Sequence, residues 1–128
     1  MAKLYHVDIA RHAASADGKW VDNLLSHFNL PGVEGGVQGS PRRITADGIH
    51  HIALVRLLTR DLGLSAAAAV PLAARLLSDV TATIAFPDGL ELRLDLNRFQ
   101  GEIRRMVAEA VESVTPARRG RPPKSSNQ

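Results

Sequence analysis

Two clusters of arginine carry most of the chemistry that this 128-residue sequence offers. Arg42 and Arg43 end a glycine-rich stretch, "NLPGVEGGVQGSPRRI", and Arg118, Arg119 and Arg121 stand with Gly120 and Pro122 in "ARRGRPPK". A guanidinium presents its N–H donors as a planar fork that matches the oxygens of a phosphate, so neighbouring arginines on a loop suit a polyanion. Salt bridges from Arg42 and Arg43 to Glu34 or Asp47 are the competing use. The five histidines do not form a second centre. His50 and His51 are adjacent, so on a helix they point about 100° apart and cannot chelate as an i, i+4 pair would. His6 and His12 lack a supporting carboxylate pattern. No Ser-His-Asp set, phosphate-cradling loop after a strand or HExxH motif is present. There is no cysteine, which excludes disulfides, Cys-ligated zinc and thiol catalysis. The expectation is a binding protein and not an enzyme, with no metal and no cofactor.

Charge is distributed unevenly. The formal net charge is +3, yet Arg118, Arg119, Arg121 and Lys124 put four positive charges and no acid after Pro116. Without them 12 basic residues face 13 acidic ones, so the body is neutral and any polyanion must be met by local patches. Apolar residues make up 45% of the chain, enough for a folded body with a real core. "MAKLYHVDIARHA" has no apolar signal core, and the most apolar stretch, "LSAAAAVPLAARLL", is short and interrupted by Pro71 and Arg75. The reading is a protein without a membrane segment, placed in a reducing cytoplasm.

The positioning elements follow from periodicity. Ile9, Ala10 and Ala13 mark a short amphipathic helix, and Asp17 then stands as an N-cap. In "KWVDNLLSHF" the residues Trp20, Val21, Leu24, Leu25 and Phe28 form one apolar stripe, with Lys19, Asp22, Asn23, Ser26 and His27 on the other face. Two short helices across a tight break outline a helix-turn-helix. The glycine-rich stretch predicts a loop or small hairpin. Thr45 is the expected N-cap of a third helix, with Asp47 in its first turn and Gly63 as its left-handed stop. Ser65 caps a fourth helix through Leu77, which Pro71 is expected to kink or split. "VTATIAF" and "LELRLDL" flank Pro87-Asp88-Gly89 as a β-hairpin, the second strand alternating Leu90, Leu92, Leu94 and Leu96 with charged residues. A last helix carries Phe99, Ile103, Met106, Val107, Ala110 and Val114 on one face, and from Thr115 onward the composition predicts a disordered tail.

The first 78 residues resemble the DNA-binding domain of the MerR-like winged-helix regulators. "VDIARHA" stands where that family has its first helix and "KWVDNLLSHF" where it has its recognition helix. "SPRRIT" is similar to the end of the family's wing, and "ADGIHHIALVRLLTRDLGLS" to its third helix with the turn into the fourth. The departures are Asp22-Asn23 where the family has an arginine-tyrosine pair, and a C-terminal part unlike its long dimerisation coiled coil. The resemblance implies a winged helix-turn-helix over residues 1–78. With the β-hairpin plus helix over 79–115, whose leucine face is covered either by the helix folding back or by a second protomer in a dimer, and the disordered basic tail over 116–128, the expected fold is α+β and mostly helical. It implies a recognition helix in the major groove, with Lys19 and His27 reaching phosphates and Asn23 pairing with adenine, and Arg42 and Arg43 of the wing on the backbone or in the minor groove. The same side chains also fit the solvated face of any amphipathic helix.

Arg118-Arg119-Gly120-Arg121-Pro122 looks like an AT-hook, whose Arg-Gly-Arg core lies in the minor groove of A/T-rich DNA. Glycine lets the backbone sit deep in a slot about 6 Å wide. The arginines follow its negative potential, and proline keeps the segment extended. A generic basic solubility tail has the same composition. Two weak elements on one chain gain avidity by tethering. The combined expectation is a bacterial-type transcriptional regulator that binds A/T-rich double-stranded DNA as a homodimer on paired half-sites. Alternatives are an architectural DNA-bending factor of excisionase or nucleoid type, and a protein-interaction adaptor, which the acidic residue on the reading helix favours.

Overall fold

His6 closes one element and opens the next. It ends strand β1, Leu4–His6, and its Nδ1 accepts the Asp8 N–H at 3.1 Å, capping helix α1, Val7–Ala14. The computed structural model describes residues 3–35 and 42–119, the last six of these by their backbone alone. Helix α1 stops at Ser15, whose left-handed conformation (φ 53°) returns its N–H to the Arg11 and His12 carbonyls. Asp17 then caps helix α2, Gly18–His27, its carboxylate accepting the Trp20 N–H at 2.8 Å as the sequence predicts. Val21 and Leu24 of α2 are buried, and Trp20, Leu25 and Phe28 pack on the same core.

Strands β2, Val33–Glu34, and β3, Arg43–Thr45, flank the glycine-rich loop. With β1 they make a three-stranded antiparallel sheet in the order β1-β3-β2. Tyr5, Ile44 and Val33 stand opposite one another as its inward row, with Ile44 fully buried. His6, Arg43 and Glu34 form the outward row. The sequence reading anticipates the β2–β3 pair as a loop or hairpin and misses β1.

Helix α3, Ala46–Asp61, is the centre of the molecule, and Ile49, Ile52, Ala53, Leu54, Val55 and Leu58 are all buried. Thr45 caps it by accepting the Gly48 N–H at 3.0 Å. Gly63 (φ 70°) follows its end, and the Leu64 N–H reaches back to the Leu58 carbonyl. Helix α4, Ala66–Ser78, is capped by Ser65. Of the expected kink or split, the split does not occur: α4 runs unbroken through Pro71. Pro71 is exposed, while Ala69, Ala73 and Leu76 face the core.

The hairpin forms around the Pro87–Gly89 turn, with Asp88 (φ 73°) and Gly89 (φ 97°) both left-handed. Its strands are β4, Thr83–Ala85, and β5, Glu91–Arg93, shorter than the alternation implies: Leu90 is 66% exposed and Leu96 already begins the last helix. Ile84 is buried, and β4 packs beside α4. The Asp79 carboxylate takes the N–H groups of Thr81 and Thr83, each at 3.1 Å, and the Thr81 hydroxyl, so the chain turns sharply from α4 into β4.

Helix α5, Leu96–Arg119, folds back mainly on α1 and also touches α3. Phe99, Ile103 and Ala110 are buried, Met106 and Val107 half-buried, and Phe99 meets the His50 ring edge-on at 5.8 Å. The side chain of Val114, the last of the expected apolar face, lies outside the described residues. One core cluster includes residues from Val7 to Ala110, so segment 79–115 shares its core with residues 1–78. The helix also continues past Thr115, where the tail was expected to begin, and includes the backbone of Arg118 and Arg119. Residues 120–128, with Gly120, Arg121 and Pro122, lie outside the described residues. The architecture is α+β and mostly helical.

Two glycines with positive φ separate strain from crowding. A Cβ on Gly63 (φ 70°) would meet nothing within 4 Å, whereas one on Gly32 (φ 80°) would lie 2.2 Å from Thr45 Oγ1 and 2.7 Å from the Gly48 nitrogen. Gly63→Ala should cost about 1 kcal/mol by urea unfolding, and Gly32→Ala at least about 3 kcal/mol. Equal losses would mean that the Gly32 contact is not tight. Acid titration tests the turn before β4. Its hydrogen bonds, that from the Thr81 hydroxyl first, hold the Asp79 carboxyl below its usual value. The stabilisation is therefore present above the unfolded carboxyl value and is lost as pH falls through the lowered one. Asp79→Asn should be less stable than the parent at pH 7, and the difference should shrink on titration to pH 3.

Candidate nucleic-acid interface

Helix α2 has one face in the core and one in water. Lys19, Asn23, Ser26 and His27 recur at helical spacing on the exposed face, alongside the wing-like β2–β3 pair. Between the two lies Asp22, the acidic residue that argues against a polyanion surface. Its carboxylate is not free. Arg11 Nη2 approaches its two oxygens at 3.4 and 3.5 Å, and Arg42 Nη1 stands 3.8 Å from Oδ1. Arg11 also holds Asp8, one turn earlier on α1. Asp8, Arg11, Asp22 and Arg42 thus form a charge-balanced row that joins α1, α2 and the start of β3.

Arg42 has a second contact on α2, donating from Nη2 to Ser26 Oγ at 3.2 Å. Its side chain is 23% exposed, against 49% for Asp22, so it lies flat across α2 with its fork partly used. Its partners differ from the Glu34 or Asp47 salt bridge that the sequence offers. Among the described residues no ion pair joins Arg42 or Arg43 to Glu34 or Asp47; Asp47 stands 3.9 Å from His51 instead. Arg43 is exposed on β3, paired in register with His6 on one side and Glu34 on the other. The two arginines therefore separate: Arg42 ties the strand to α2, and Arg43 stands outward.

Local sequence explains how the row forms. Gly18 is the first residue of α2, and a Cβ there would lie 3.0 Å from the Arg11 guanidinium carbon. The missing side chain lets Arg11 lie against the start of α2. Trp20 is held from the other side, with the Arg56 guanidinium 5.2 Å from its ring centroid. α2 is thus fixed to α1 by an ion pair and to α3 by a cation–π contact.

His27 uses one ring nitrogen locally. Its Nδ1 stands 2.8 Å from the Asn23 carbonyl, which can only accept, so Nδ1 carries hydrogen and Nε2 is left for other partners. His50 and His51 make the same bond to the Ala46 and Asp47 carbonyls, at 2.7 and 2.9 Å. No group of three or more metal-ligating side chains occurs among the described residues. No described helix is long and apolar enough to cross a membrane.

Arg105 of α5 lies between Glu102 and Glu109, and the Glu102 carboxylate above all raises its guanidinium further. Arg60 is paired with Asp61. Lys19 and Arg43 take part in no ion pair among the described residues, a property they share with Lys3, Arg75, Arg93, Arg98 and Arg104; what sets them apart is their place on the exposed face of α2 and on the neighbouring strand β3. Arg11, Asp22 and Ser26 are the interface residues that the sequence reading does not single out as an ensemble. Their partners lie on other elements, and only Gly18 hints at the Arg11 contact.

No family model, curated protein or solved structure matches the chain.

Because these ion pairs are largely exposed, their role is to orient rather than to stabilise. Asp22→Ala should change unfolding free energy by less than about 1 kcal/mol. It should also release Arg42, seen as motional averaging of its side-chain N–H signals by NMR relaxation. A loss above about 2 kcal/mol would show instead that the row is structural.

Proposed function

We propose that the chain is a DNA-binding protein built on a winged helix-turn-helix, in which α2 enters the major groove and the β2–β3 wing follows the backbone. The observation that carries the reading is the alignment of Lys19, Asn23 and His27 on the exposed face of α2, beside an outward Arg43, with Asp22 neutralised by Arg11 and Arg42. The order of elements supports it, since a strand, two short helices, a two-stranded wing and a third helix follow one another as a winged helix requires. An adaptor that binds a protein through α2 drew its support from a free acid there, and that acid is paired within the chain.

In this reading Lys19 and Arg43 contact phosphates and Asn23 contacts a base edge, while Arg42 aims the wing. The tail residues Arg118, Arg119, Gly120, Arg121 and Pro122 add minor-groove affinity for A/T-rich sequence. Regulation of transcription by occupancy follows as the role, with no catalysis. The apolar side of α5 is occupied inside the chain by α1 and α3, so a homodimer on paired half-sites would have to use another surface.

Fluorescence anisotropy on A/T-rich and G/C-rich duplexes, across a salt series, tests this. Affinity should fall steeply with salt, because each neutralised phosphate releases condensed counterions. Lys19→Ala with Arg43→Ala should weaken binding to both duplexes and reduce the magnitude of the log–log salt slope by about 2. Arg121→Ala should reduce the preference for A/T-rich duplex. Absence of binding to any duplex at low salt would sink the reading.

A further inference from the structure

Beside the exposed face of α2 lies a small notch of about 140 Å³, lined by Trp20, Asn23, Leu24, His27, Phe28 and Ala66. Its walls are the side chains of Trp20, Leu24 and Phe28 from α2 and the methyl of Ala66 at the start of α4. Asn23 and His27, one helical turn apart, are the two lining residues that can hydrogen-bond, and the notch itself is almost wholly apolar. An apolar notch bordered by two such residues suits a ligand that offers a hydrogen-bonding edge with a methyl beside it.

We propose that this notch is a specificity pocket for the C5 methyl of a thymine in the major groove. The inference rests on the DNA-binding reading above and deepens it. The major-groove edge of an A·T pair offers adenine N7 as acceptor, adenine N6 as donor, thymine O4 as acceptor and, last, the thymine methyl. An asparagine amide can bond adenine N6 and N7 together. His27 is prepared for its task by the Asn23 carbonyl. With Nδ1 donating there, the neutral ring presents Nε2 outward as an acceptor, which suits the amino group of an adenine or cytosine on the neighbouring pair. In the neutral form of the ring His27 makes a base contact, whereas the protonated form, a donor at Nε2 as well, makes the phosphate contact instead. The walls between the two then face the one apolar group on the groove edge. A cytosine at the same place carries only hydrogen at C5 and leaves the notch unfilled. Lys19 and the paired state of Asp22 keep the surroundings compatible with a duplex.

Replacing thymine by uracil removes this methyl alone. It leaves Watson–Crick pairing and the minor-groove acceptors unchanged, so contributions of the tail to A/T preference do not move. The full-length protein is first used to select its tightest duplex from a randomised library, and each thymine is then replaced singly by uracil. At one position per α2 footprint the affinity should fall roughly fourfold, the factor that corresponds to burying one methyl-sized group. Ala66→Met, which fills the notch from α4, should bring the affinity for the thymine duplex down to that for the uracil duplex. Equal affinity for thymine and uracil at every position overturns the pocket while leaving DNA binding intact. So does an Ala66→Met protein that still prefers thymine. Selection of no duplex at low salt overturns the DNA-binding reading itself.

Discussion

The contact on which the arrangement turns is the close approach of Pro31-Gly32 to Thr45-Gly48. Gly32 carries φ 80° and its carbonyl oxygen accepts the Thr45 N–H at 2.8 Å, while a Cβ on Gly48 would lie 3.0 Å from the carbonyl oxygens of both Pro31 and Gly32. At this crossing the chain leaves α2, enters the β2–β3 pair, returns and starts α3. Thr45 serves three purposes there: it closes β3 opposite Leu4, accepts the Gly48 N–H in the first turn of α3 and bonds Gly32. Only glycine fits at the two points of contact, so the wing is fixed relative to the central helix by backbone rather than by mobile side chains. The outward row of the sheet inherits its position from this joint.

A second layer of control is electrostatic and weaker. The Asp8–Arg11–Asp22–Arg42 row lies at the surface, where such pairs contribute little to stability. Its effect is on direction. Arg42 is drawn across α2 to Asp22 and Ser26, and its neighbour Arg43 is left facing outward on the strand. Arg42 immediately precedes β3, and successive side chains of extended backbone point to opposite sides, which agrees with the divergence. Two adjacent arginines therefore do different work, one holding the frame and the other available to a partner.

Much of this was legible in short-range pattern. Asp17, Thr45 and Ser65 each cap the helix that the sequence assigns to them, because a cap needs only a side chain and an N–H two or three residues on. The Pro87-Asp88-Gly89 turn is equally local. Strand β1 was not legible: three residues are too few to show a period, and its partner β3 lies beyond both of the first helices. Pro71 misled for a related reason. The rule that proline breaks a helix concerns the isolated segment, whereas α4 is held by Ala69, Ala73 and Leu76 against α3 while the ring faces solvent. The charge of α2 could not be judged from its own residues either, since the groups that neutralise Asp22 come from α1 and β3.

The docking of α5 alters what the amphipathic pattern of that segment implies. Read alone, Phe99, Ile103, Met106, Val107 and Ala110 describe a helix in search of a partner, which the hairpin of the same chain or a second copy could supply. In the folded chain the partner is α1, with His12 and Glu109 3.6 Å apart at the edge of the contact and His50 of α3 meeting Phe99. Helix α1 therefore stands between α5 and α2, held on one side by apolar packing and on the other by the Arg11–Asp22 pair. The exposed face of α2 thus rests on a three-helix stack, α2 on α1 on α5, and its rigidity depends on a helix at the far end of the sequence. That dependence explains why residues 79–119 belong to the same folded unit as α2 in a physical sense: without α5, the buried face of α1 would be open to water and the helix that orients α2 would lose its own support.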